Sequence, residues 1–208
     1  RRVLFRSNRC ADLANYDLEK YNANNEYPRK LWNDAYIHIN TLNYMIENAA
    51  KVDVTTTALT AAQRDQYLGE AYFMRAYNYF HLVEQFGDVT LTTTYNASPS
   101  TSSERHDMVR VYEEVIIPDL LNAIRLCSPS PQLNNLESGR ASAATARHLL
   151  SRVYLTLAWV FDKDPANPSY KGNTQTKYYN TTKAKEYYQK AFDMATGLIA
   201  DASSLGLK

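Results

Sequence analysis

The feature that most constrains this chain is a helical run that must stop at one residue. From Gly69 to Phe86, apolar side chains return at three- and four-residue spacing: Phe73, Ala76, Tyr77, Phe80 and Val83. That spacing gives a helix one buried stripe. Gly87 follows, then Asp88. Glycine at this place reads as a C-terminal stop, because it takes positive φ without the steric cost a Cβ brings. A segment of this kind must bury its stripe against other helices, and the rest of the sequence supplies them.

Pro28 suits a first helical turn, where its missing N–H is not needed. The helix it opens runs to about Ala50, with Leu31, Ala35, Ile39, Leu42, Met45 and Ile46 as its stripe. Thr60 and Gln63 form a capping-box pair for the helix that ends at Phe86. Asp107 reads as the N-cap of a helix to Cys127. Pro118 lies inside that helix and predicts a kink near Glu114, four residues back, where its ring meets the preceding turn. Ser138, Gly139 and Arg140 turn the chain into a helix from about Ser142 to Phe161. Thr181 or Thr182 starts a last helix to about Asp201. The reading is therefore all-α, five helices joined as antiparallel hairpins. The last two pair like a tetratricopeptide unit, with Ala191 as the small contact residue. The connections 88–106 and 162–178 are longer than ordinary ones, which marks them for function or motion.

Composition removes several classes of function. A net charge of +1 over 208 residues makes no field for nucleic acid or anionic lipid. Cys10 and Cys127 are the two cysteines and form no metal or redox motif. No apolar run approaches the ~18 residues of a membrane span. No nucleophile elbow, phosphate loop, dinucleotide fingerprint or zinc motif occurs, and His38, His81, His106 and His148 are scattered. The chain is expected to be non-catalytic, with no cofactor and no metal. Its 17 tyrosines suit helix interfaces and sugar-facing surfaces alike, since each joins a flat ring to a polar tip.

The run Glu70, Ala71, Phe73, Arg75, Ala76, Tyr79, Phe80, Leu82, Phe86, Gly87, Asp88 and Leu91 resembles the signature of the SusD/RagB family, with Thr90 where the family has proline. Three more segments are similar to that family in the same order. They are Trp32, Tyr36, Ile39 and Asn43; Tyr112, Ile116, Asp119, Leu120 and Ala123; and Gly139 and Arg140 followed by the Leu149–Leu155 helix. The resemblance covers roughly residues 28–202. It implies a SusD-like α-solenoid that binds glycans at the cell surface and delivers oligosaccharides to a SusC-like TonB-dependent transporter. It also implies a lipoprotein of the outer membrane of Bacteroidetes-type bacteria, held there by a lipid anchor. Two alternatives are a RagB-like receptor for peptides and a tetratricopeptide scaffold for protein partners.

Residues 1–7 are read as a non-native leader similar to translated sequencing-adapter DNA, and 8–208 as the SusD-like helical region, truncated at both ends. Trp32, Glu70, Arg75, Phe86, Gly87, Asp88, Gly139 and Arg140 are expected to be structural. Arg75 is expected to fork onto Glu70, Asp88 or helix-end carbonyls, and Trp32 and Trp159 to be core residues of their helices. Composition points to Tyr21, Asn22, Asn24 and Tyr27, and to Tyr170 and Asn173, as glycan-binding candidates. Aromatic faces stack on pyranose rings, and amides beside them bond the hydroxyls.

Overall fold

The computed structural model describes residues 26–49, 51–55, 59–98, 104–130 and 139–207. Cys10 and the proposed leader lie outside them. The chain forms two compact units, Arg1–Ile37 and His38–Lys208. In the first unit, the opening turns of helix α1 (Glu26–Ala49) set Trp32 against Tyr36, with ring centroids 5.0 Å apart.

The second unit holds the rest of α1 and the four further helices expected. Helix α2 (Ala61–Phe86) begins at the predicted capping box: Thr60 Oγ1 accepts the Gln63 N–H, and Gln63 Oε1 accepts the Thr60 N–H. It ends at Gly87, whose N–H still reaches the Val83 carbonyl at 3.0 Å. Gly87 has φ +68° and ψ −117°, outside the left-handed helical well and in territory that only glycine enters freely. A Cβ there would meet no atom within 4 Å, so glycine is required by conformation and not by crowding.

The buried face of α2 differs from the expected stripe. Ala76, Phe80 and Val83 are buried, but Tyr77 is 42% exposed and Tyr79 is fully buried instead. The Tyr79 hydroxyl donates to the Thr92 carbonyl at 2.7 Å and accepts the Thr92 N–H at 2.8 Å. A satisfied hydroxyl lets a phenol enter the core. Gly69 is required by space: a Cβ on it would lie 2.6 Å from Cys127 Sγ. Burial pushes the Cys127 thiol up to about 12, as suits an inert filler.

A two-residue ribbon, β1 (Val89–Thr90) and β2 (Arg105–His106), pairs antiparallel in the register Val89 to His106. Asp107 then caps α3 (Met108–Val111). A π-helical turn (Tyr112–Ile116) joins α3 to α4 (Ile117–Leu126). The expected kink near Glu114 is this wide turn. Pro118 has no N–H for the Glu114 carbonyl, and the π turn relieves the clash. Helix α5 (Ala143–Phe161) follows the Ser142 cap, and α6 (Thr181–Ala200) follows the Asn180 cap.

The helices pack in succession: α2 on α4, α4 on α5 and α5 along α6. Ile116, Leu120, Leu150 and Leu157 fill the seams and are fully buried. Each contributes about 1.5–3 kcal/mol by leaving water. On α6, Ala184, Tyr187 and Ala191 face inward, and Tyr187 stacks on Phe161 at 5.7 Å. Among the described residues the molecule is all-α apart from the short ribbon, and no helix is long and apolar enough to cross a membrane.

Candidate functional site

Two polar nodes, one buried and one partly exposed, set the surface. At the first, Arg75 forks onto Asp119, with Nε to Oδ2 at 2.7 Å and Nη2 to Oδ1 at 2.8 Å. Both side chains are almost wholly buried. Arg75 Nη1 also reaches Asn43 Oδ1 at 2.8 Å and the Thr93 carbonyl at 3.3 Å. The expected partners of Arg75 were Glu70 and Asp88, and neither holds it. Asp119 lies 44 positions away in sequence, so helix packing alone makes the pair.

Glu70 instead takes Arg140 as a bidentate partner at 2.8 and 2.7 Å. Gln66 joins them by donating to Glu70 Oε1 and to the Ala141 carbonyl. Gly139, at φ +90°, makes the turn that delivers Arg140 to this node. Asp88 accepts the Met108 N–H at 3.0 Å and lies 3.6 Å from Lys177 Nζ, so it ties the end of α2 to the start of α3. Asp107 accepts the Tyr178 hydroxyl at 2.5 Å and its own cap bond from Val109. Burial works against its charge, but Tyr178, Val109 and Lys177 together hold its carboxyl below the usual aspartate value.

Above this frame, a cleft of about 450 Å³ opens between α2, α5, α6 and the 162–178 connection. Glu84, Leu155, Thr156, Trp159, Gln175 and Tyr188 line it. Trp159 is 50% exposed and so is not the core residue expected. Helical spacing explains this, since Leu150, Val153, Leu157 and Phe161 take the inner face of α5 and leave Leu155 and Trp159 on the other. Lys163 is buried, with Nζ 3.5 Å from the Trp159 ring centre, and donates to Gln175 Oε1. Burial pushes its ammonium below the usual lysine value, although Glu84 works the other way. Lys163 thus covers part of one indole face, and half of the Trp159 surface stays exposed at the cleft. Glu84 accepts the Tyr112 hydroxyl at 2.8 Å, and Tyr188 donates to Asp162 at 3.2 Å. The arrangement is a fixed aromatic plate ringed by carboxylate, amide and hydroxyl groups, as ring-stacking ligands with many hydroxyls require.

Tyr21, Asn22 and Asn24 lie outside the described residues. Tyr27 is half-buried in the first turn of α1. Tyr170 ends a 3₁₀ turn (Pro168–Tyr170), and Asn173 caps the next one (Thr174–Tyr178), its Oδ1 accepting the Gln175 N–H. Asn173 thus fixes the backbone that carries Gln175 into the cleft. Phe86 is half-buried at the end of α2. Composition alone missed Trp159, Tyr188 and Gln175; a helical projection of α5 would have found Trp159. Among the described residues no group of three or more histidine, cysteine or carboxylate side chains could hold a metal ion.

Comparison with known proteins gives this geometry its family. Residues 4–155 match the SusD-like family described as starch-binding, associating with outer membrane. SusD-like protein P2 of Formosa agariphila is 33% identical over 127 residues, which is 60% of this chain and 23% of that protein. A SusD superfamily structure from Parabacteroides distasonis is 29% identical with a TM-score of 0.64, covering 85% of this chain and 32% of the other. A structure described as a laminarin-binding SusD-like protein is 26% identical with a TM-score of 0.55, covering 68% of this chain and 30% of its own. The chain therefore spans less than a third of the length of each relative.

Proposed function

The chain belongs to the SusD-like family, and from that premise we propose that it is the helical part of a non-catalytic, cell-surface glycan-binding protein. The observation that carries the reading is the half-exposed Trp159 plate in its polar cleft. A pyranose ring stacks on the open indole face. Glu84 accepts its hydroxyl protons, and the Tyr188 hydroxyl bonds it from α6. The Lys163 ammonium beneath the plate keeps the indole from turning, so little freedom is lost on binding. In this reading the bound oligosaccharide passes to a SusC-like TonB-dependent transporter, and a lipid anchor holds the protein at the outer membrane.

Native affinity electrophoresis in gels cast with starch, laminarin or xyloglucan tests the binding. The 208-residue chain is expected to be retarded in at least one gel, and Trp159→Ala to migrate as in a blank gel. Free migration of the wild type in all three, with binding to casein peptides instead, would replace the glycan reading with a peptide receptor.

A further inference from the structure

We propose that the protein carries a second ring-stacking platform, formed by Tyr44 and Tyr95, which are not among the residues that line the Trp159 cleft. The proposal rests on the glycan reading above. The two rings meet edge to face, with centroids 5.0 Å apart. Tyr44 is 52% exposed and Tyr95 is 43% exposed. Tyr44 stands on α1, and Tyr95 on the connection after β1.

What sets this pair apart from ordinary surface tyrosines is how firmly its backbone is held. The segment 92–96 runs beside α1 and is fastened residue by residue. Tyr79 takes both the N–H and the carbonyl of Thr92. Arg75 takes the Thr93 carbonyl, and Asn43 takes that of Thr94 at 3.0 Å. Glu47 Oε1 accepts the Tyr95 N–H at 2.7 Å. Asn40 bonds both the N–H and the carbonyl of Asn96, each at 2.9 Å. Asn40, Asn43 and Glu47 recur at helical spacing, so one face of α1 acts as the clamp. Behind it stands the buried Arg75–Asp119 pair. Fixing a surface loop with a desolvated ion pair is expensive, and Arg75 grips this loop at the Thr93 carbonyl, two residues before Tyr95.

The ligand class follows from what the clamp leaves available. Seven backbone groups of 92–96 are already engaged, so the segment is a poor edge for pairing with an extended peptide. The rings are flat and aromatic, and the polar residues Glu47 and Asn48 follow Tyr44 three and four positions on along α1, one helical turn away. Glu47 gives only Oε1 to the loop. That combination suits the apolar face of a sugar ring with its hydroxyls bonded at the edge. The backbone that carries both rings is held before the ligand arrives, so little backbone entropy is lost on binding. Two platforms on one chain would engage a single long polysaccharide at two points and raise its apparent affinity through effective concentration.

The test uses the full chain in gels cast with starch, laminarin or xyloglucan. Tyr44→Ala/Tyr95→Ala is expected to weaken retardation about tenfold in the gel that retards the wild type, with its melting temperature unchanged within a few degrees. Tyr44→Phe/Tyr95→Phe keeps the faces and is expected to retain binding. Wild-type retardation by the alanine pair, alongside loss in Trp159→Ala, overturns the second platform and leaves the cleft standing. Equal loss in the alanine and phenylalanine pairs also overturns it, since stacking would then not be the interaction. Free migration of the wild type in every gel overturns the glycan reading itself.

Discussion

Arg75 shows how far one residue can be read from sequence. Its place one step from the apolar stripe marked it as a structural arginine. Its partner could not be read, because Asp119 reaches it only when α2 and α4 pack. The same holds for Glu70, which meets Arg140 across 70 positions. Charge patterning along a chain sees partners three or four residues away and is blind to these. Removing one member strands a buried charge. Asp119→Ala is therefore expected to destabilise the protein by about 3–5 kcal/mol, read as a fall in the urea midpoint. Arg75→Met/Asp119→Leu should recover most of that loss, because apolar pairs of similar volume fill such sites well. If the double variant is as unstable as Asp119→Ala, the cost lies in the clamp on 92–96 and not in the stranded charge.

At the scale of elements, starts and stops were legible because they are local chemistry. Thr60 with Gln63, Asp107, Ser142 and the glycine stop all sit within four residues of what they cap. Gly69 was illegible because its reason lies on another helix. Gly69→Ala would ordinarily favour a helix by about 1 kcal/mol. Here the new methyl meets Cys127 Sγ at 2.6 Å and the Cys127 backbone nitrogen at 3.0 Å. The expected result is a net loss of about 1–3 kcal/mol, partly restored by adding Cys127→Ala. Thermal melts of the single and double variants check this. Gly87→Val should lower stability by at least about 1 kcal/mol through backbone strain alone, and removing neighbouring side chains should not rescue it.

The Asp107 cap adds a pH dependence. Its folded-state pKa lies below the unfolded one, so its contribution is complete above the usual aspartate value of about 4 and is lost as pH falls through the folded value. Melts between pH 5 and pH 2 are expected to decline less steeply in Asp107→Asn than in the wild type. Parallel declines would show that Asp107 is not held below its ordinary value.

For the whole molecule, the five helices and their order were legible, because amphipathic spacing and caps act within each segment. The ribbon was not, since two residues per strand make no alternating pattern. Nor was the cleft, which needs four elements to meet. Trp159 was expected inside, since most tryptophans are largely buried, and the inner face of α5 was already filled by Leu150, Leu157 and Phe161. The motif segments at Asn43, Arg75, Tyr79 and Asp119 converge on one buried node, which holds the surface loop that follows α2. Physical chemistry thus gives those sequence matches a common role, namely a buried node that ties α1, α2 and α4 to the loop after α2.

The most direct test of a glycan-binding frame is a crystal structure of the chain soaked with an oligosaccharide cut from whichever polysaccharide retards it. The account predicts a pyranose ring lying parallel to the exposed Trp159 indole, with hydroxyls within hydrogen-bond distance of Glu84 and Tyr188. A bound sugar that leaves the indole face bare and engages neither side chain would contradict it.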